Sequence, residues 1–101
     1  MQNAEIIGNI VADGETRTRK DGGEYIAFRV AVNENRGEEK KTQFYDVFCQ
    51  SSGVIKYLKK GQKVFVSGHL GLSSSIKDGI AYVNASISAK EVEIIYTAQQ
   101  G

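Results

Sequence analysis

The stretch TQFYDVFCQSSGVIKYLKKGQKVFVSGHL, Thr42 to Leu70, reads as a strand, a short helix, a glycine stop and a second strand. Side chains along a strand alternate between its two faces. Phe44, Asp46, Phe48 and Gln50 therefore share one side, and Tyr45, Val47 and Cys49 share the other. The first of these faces carries a charge beside two exposed aromatics. Ser51 or Ser52 can accept a hydrogen bond from the orphan N–H groups of a helix start, and Val54, Ile55 and Leu58 form an apolar stripe at helical spacing. Gly61, just after Lys59 and Lys60, is a stop with cations at the negative end of the helix dipole. The spacing predicts an α-helix of about two turns. Lys63 to Leu70 then returns as a β-rich run, and Gly68 inside it predicts a bulge or sharp bend.

Outward from that unit, Ala4 to Val11 forms a first strand around Gly8. Asp13-Gly14 and Lys20-Asp21-Gly22-Gly23 are turn signals, and Glu15 to Arg19 between them is a polar strand or loop carrying Arg17 and Arg19. Tyr25 to Asn33 alternates most clearly, with Ile26, Phe28, Val30 and Val32 as a core row against Ala27, Arg29, Ala31 and Asn33. Glu34 to Lys41 is too polar to pack and reads as a long mobile hairpin loop. On the C-terminal side, Gly71 to Lys77 and Ile80 to Ile87 flank Asp78-Gly79, a dipeptide that favours a hairpin turn with positive φ at both central residues. Ala89 to Tyr96 is a last strand, followed by a short polar tail. Short strands, one brief helix and frequent in-strand glycines favour a small closed all-β barrel over a sandwich.

A chain of 101 residues accommodates a single domain, 1–101, with 41% hydrophobic and 25% charged residues. No apolar run approaches the roughly 20 residues of a membrane helix, and the N-terminus lacks the pattern of a signal peptide. A cytoplasmic protein with no membrane partner is expected. The net charge is +1, but Tyr45 to Lys90 carries six lysines against two aspartates, +4, while the remainder sums to −3. A modest basic patch follows from that distribution, although lysines that merely solvate the surface give the same pattern. Cys49 has no partner for an internal disulfide and has the parity of a packing thiol. His69 is the one histidine, and Cys49 has no second metal ligand at usable spacing. The glycines form neither GxGxxG nor a P-loop, so neither an enzyme nor a cofactor is expected.

The residues together resemble the bacterial single-stranded-DNA-binding proteins. The resemblance runs through IIGNI, then Asp13, Glu15 and Arg17 as D-x-E-x-R, FRVAVN at Phe28 to Asn33, and Thr42 with Phe44. It continues through YLKKGQKVFVSGHL at Tyr57 to Leu70, and Asp78 and Gly79 followed by Tyr82. It implies a five-stranded OB-fold barrel with one short α-helix between the third and fourth strands. The implied function is binding of single-stranded DNA without sequence specificity, protecting it during replication, recombination or repair. Such a barrel lays phosphates along cationic side chains and stacks bases on aromatic faces. Arg29, Phe44 and Phe48 fit by parity, Arg17 through the shared motif, Arg36, Lys40 and Lys41 through the hairpin loop, and Lys56 through the basic helix. For Phe44 the alternative is burial in a subunit interface or under a loop, and Tyr57 and Tyr82 read as packing residues. The resemblance further implies self-association as a homodimer or homotetramer, and partners among replication or repair proteins.

Several residues depart from the family pattern. There is no Trp, and Arg36 and Gln50 stand where family members commonly present an aromatic. Asp46 occupies a place where Arg or Asn is usual, and GLSSSIK replaces an arginine-rich stretch. Stacking and phosphate contacts are thereby thinned, which implies weak or salt-sensitive binding. The family's acidic tail with an apolar tip is not seen. Two further readings follow: a primosomal replication protein of the same fold, or an OB-fold protein-interaction module that has given up nucleic acid.

Overall fold

Alternating apolar positions build five strands and a polar segment adds a sixth in the computed structural model, which describes residues 2–50 and 52–96, without the side chains of Asn35, Arg36, Glu39 and Ser52. They are β1 (Asn3–Ile10), β2 (Glu15–Thr18), β3 (Glu24–Arg36), β4 (Glu39–Cys49), β5 (Lys63–Lys77) and β6 (Ile80–Ile94). Five of them close a ring in the order β1, β5, β6, β4, β3, with β3 returning to β1 through Asn9↔Ala31 and Ile10↔Val30. The β4–β6 pairing is parallel and the others are antiparallel. Strand β2 lies outside the ring, paired with the start of β3. This is the expected five-stranded barrel.

Inside it, Val30, Val47, Val64, Val66 and Ile87 have no exposed surface, each stabilising the fold by about 1.5–3 kcal/mol through burial. Leu58 closes one end. Its carbonyl accepts the Gly14 N–H at 2.7 Å, while Asp13 Oδ1 accepts the Lys60 N–H at 2.8 Å, so the turn after β1 is tied to the segment before β5. Among the described residues no helix is long and apolar enough to cross a membrane.

Three local expectations are corrected. The helix between the third and fourth ring strands is not α but a 3₁₀ helix, Ser52–Tyr57, ending four residues before Gly61. Gly53 and the β-branched Val54 and Ile55 are poor α formers, and Leu58 N–H donates to Ile55 O, three residues back, at 3.1 Å. The cap expected from Ser51 or the Ser52 side chain lies outside the described residues. The polar loop expected over Glu34 to Lys41 is instead strand on both sides of a two-residue turn at Gly37 and Glu38. A hairpin satisfies its backbone groups across the ladder without a core, and Glu34↔Lys41 places opposite charges across from each other. Finally, the segments on either side of Leu70 and of Ser88 are continuous strands, so β5 and β6 form one long hairpin that runs past the barrel. Its turn has positive φ at both Asp78 (52°) and Gly79 (78°), as the dipeptide requires.

The register of β5 on β6 shifts between Ser67 and Gly68, where the strand bends. A methyl group at Gly68 would collide with the Ser88 carbonyl, and one at Gly8 with the Ala31 carbonyl. Both glycines sit where neighbouring backbones approach too closely for a side chain. Gly68→Ala is expected to lower unfolding free energy by about 1–3 kcal/mol, the usual cost of overpacking, when measured by urea denaturation. Gly53→Ala, where the added carbon meets nothing, serves as the comparison and stays close to the parent.

Candidate nucleic-acid interface

The hairpin of β3 and β4 puts four cross-strand pairs on the outer face of the barrel: Ala27↔Phe48, Arg29↔Asp46, Ala31↔Phe44 and Asn33↔Thr42. Each phenylalanine therefore stands opposite an alanine, which is too small to cover its ring. Phe44 is 47% exposed, while Phe48 is partly buried and meets Tyr25 edge to face, with ring centroids 6.0 Å apart. Arg29 Nε donates to Asp46 Oδ1 at 3.0 Å, and its guanidinium carbon lies 5.9 Å from the centre of the Phe44 ring. Both members of this ion pair are exposed, so the pair itself is worth at most about 1 kcal/mol. Its effect is on charge, since the Asp46 carboxylate offsets what Arg29 offers to an anion. Thr42 donates to Asn33 Oδ1 at 2.8 Å and holds the next pair together.

Three depressions follow one another along this face, and a fourth opens next to them at the barrel end, where Cys49, Val54, Ala89 and Val92 of the core side also line it. Each shares residues with its neighbour. The first is lined by Asn33, Lys40, Lys41 and Thr42. The second, around Phe44, uses Thr42, Arg29 and Asp46, and is walled by Val83 and Asn84 of β6. The third holds Arg17, Arg29, Asp46 and Phe48. The fourth opens beyond Phe48 toward Tyr25, Arg19, Gln50 and Lys90. Together they make a continuous track along β4, with a cation in every section and aromatic rings at Phe44 and Phe48. Carboxylates accompany the cations in the middle: Glu15 binds the Arg17 guanidinium at 2.6 Å, and that hydrogen bond raises the Arg17 pKa above its ordinary value.

Of the residues singled out in the sequence, Arg17, Arg29, Lys41, Phe44 and Phe48 lie together on this track. Lys56 does not line any of the four depressions; it sits on the 3₁₀ helix with its ammonium 5.1 Å from the Tyr57 ring centre. The Arg36 side chain lies outside the described residues. Tyr57 and Tyr82, expected to pack, are instead exposed by 43% and 46%, because one sits on a short surface helix and the other on the hairpin beyond the barrel. Sequence reading passed over Tyr25, although its parity with Ala27 and Arg29 places it on the same outer face. It also passed over Asn84, which no local pattern connects to Phe44. Cys49 is buried, and among the described residues no cluster of three or more His, Cys, Asp or Glu is placed to hold a metal.

The chain belongs to the single-strand binding protein family, whose model matches residues 1–95. It is 36% identical to a single-stranded DNA-binding protein of Rhizobium meliloti over 64% of this chain and 43% of that one. To its namesake from Treponema pallidum it is 29% identical over 94% of this chain and 58% of the other. The chain thus spans about half the length of the curated relatives it matches. Among solved structures, the small single-stranded DNA-binding protein of Streptomyces coelicolor superposes with a TM-score of 0.77 at 20% identity, covering 93% of this chain and 94% of that one. An SSB of Plasmodium falciparum in complex with ssDNA superposes at 0.70 and 19% identity, over 95% and 96%. These two likenesses establish the OB-type fold.

The two faces of β4 predict opposite costs of truncation. Phe44→Ala removes an exposed ring and is expected to shift unfolding free energy by less than about 1 kcal/mol. Tyr45→Ala removes a ring packed against the core and is expected to cost about 3 kcal/mol, near the low end for core aromatics. Thermal denaturation of the two variants side by side measures the difference.

Proposed function

We propose that this chain binds single-stranded DNA without sequence preference, along the outer face of β3 and β4, and that it shelters the strand during replication, recombination or repair. The observation that carries this reading is the continuous track from Lys40 and Lys41 to Phe48, in which the exposed Phe44 ring and the half-covered Phe48 ring alternate with cationic side chains. Bases stack on Phe44 and Phe48, and stacking accepts any base because every base has a π-face. Arg29, Arg17 and Lys41 meet the phosphates. No chemistry is required of the protein beyond holding the strand extended.

Labelled oligo-dT titrated in fluorescence anisotropy tests this directly. Binding much tighter than to a duplex of equal length is expected, and it should fall with salt at about 0.7 log units of affinity per log unit of salt for each phosphate neutralised. Equal affinity for duplex, or a flat salt response, would favour the protein-interaction reading instead. Because Asp46 occupies Arg29 and repels phosphate, Asp46→Asn is expected to tighten oligo-dT binding severalfold and to steepen the salt slope, by about 0.7 if one further phosphate is engaged.

Self-association fits two unpartnered surfaces. Residues Asn3 to Gly8 of β1 pair only with β5, and β3 reaches β1 only at Asn9 and Ile10, so one edge of β1 is open. Ile7, 51% exposed, lies on the outer face there opposite Phe65. An open edge beside an apolar face is a template for a second copy. The long hairpin offers another such surface, since Leu72, Ile76 and Val83 share one face and are exposed. A dimer uses one surface and a tetramer both. Light scattering should give an oligomer mass for the parent and a lower mass for Ile7→Lys; an unchanged mass would remove β1 from the interface.

A further inference from the structure

The section of the track beyond Phe48 is a cleft of about 520 Å³ between the start of β3, the end of β4 and the bend in β6. That is within the range of small-molecule sites, roughly 300–1,000 Å³. Tyr25 forms its aromatic wall. The tyrosine stands opposite Arg17 in the β2–β3 ladder, meets the Phe48 ring edge to face, and has the Arg19 guanidinium carbon 5.4 Å from its ring centre. Gln50 supplies an amide, and Lys90 enters where the register shift in β6 leaves it unpaired with β5. Glu91 is the acidic residue on the rim; its hydrogen bond with Glu93 holds its proton to higher pH than an ordinary carboxyl.

We propose that this cleft is a nucleobase subsite in which a base of bound single-stranded DNA stacks on Tyr25, while Arg19 and Lys90 meet the flanking phosphates. The inference rests on the binding reading above and extends it. Phe44 and Phe48, four residues apart on one strand face, are separated by about 13 Å of backbone, and Tyr25 continues the row past Phe48. Tyr25 lies on the outer face, where its neighbours are two arginines and a half-covered phenylalanine rather than the core. An amide that both donates and accepts matches the edges of any base, so the subsite adds affinity without adding sequence preference. It also supplies a stacking surface at the end of β4 where Gln50 itself offers none.

Two experiments on the whole protein test the subsite. Oligo-dT carrying a single 5-iodouracil is photocrosslinked to the parent protein, and the adduct is mapped by mass spectrometry. A crosslink on Tyr25 for at least one position of the label is expected. In parallel, Tyr25→Leu should weaken oligo-dT binding about tenfold at unchanged melting temperature, and Tyr25→Phe should restore most of that loss. If the parent binds oligo-dT and Phe44→Ala weakens it, while Tyr25→Leu binds as the parent does and no crosslink reaches Tyr25, the subsite is wrong and the wider reading stands. If the parent fails to bind oligo-dT at all, the wider reading falls and takes the subsite with it.

Discussion

The register between β3 and β4 is the constraint on which the outer surface depends. Setting Arg29 across from Asp46 places each phenylalanine of β4 opposite an alanine and sends Val30, Val47 and Phe28 inward together. A slip of β4 by one residue would turn its whole row over, burying Asp46 and exposing Val47. The buried face therefore pins the exposed one. With the core row fixed at no exposure for Val30 and Val47, the rings have no position left except the surface. The remainder of the barrel supports this hairpin: β6 runs parallel to β4 and walls the Phe44 depression, β1 closes the ring through Val30 and Ala31, and Leu58 fills the end.

Much of this is legible in the sequence because a two-residue repeat encodes it. The parity of Phe44, Asp46 and Phe48, the core row of β3, the bend at Gly68 and the Asp78-Gly79 turn are local patterns with one physical reading each. Strand length was less legible. Glu34 to Lys41 is polar because both its faces meet solvent, and polarity alone does not separate a loop from a two-sided hairpin, whose ladder is satisfied without burial. The helix type escaped for a similar reason, since the apolar stripe of Val54, Ile55 and Leu58 has nearly the same spacing in a single turn of 3₁₀ and α geometry. Tyr25 and Asn84 were missed because their roles depend on residues far away in the chain, which only the folded barrel brings together.

The surface has cations and rings but holds them in check. Arg29 is shared with Asp46 and Arg17 with Glu15, so the middle of the track is close to neutral although the segment from Tyr45 to Lys90 is basic. Stacking adds to counterion release in such a groove, and it is supplied by a small number of rings. That makes the aromatic row, rather than the lysine count, the feature that separates a strand-binding barrel from one that uses the same fold to hold a protein.

The central claim is that the outer face of β3 and β4 is where the strand lies. Backbone amide shifts of the ¹⁵N-labelled protein, followed by NMR during titration with short oligo-dT, locate the contact without altering any residue. The account predicts that the largest changes fall at Arg29, Phe44, Asp46 and Phe48 and run on to Tyr25, with the Ile7 and Phe65 face of β1 and β5 left still. Changes concentrated on β1 and β5, with β4 unmoved, would contradict it.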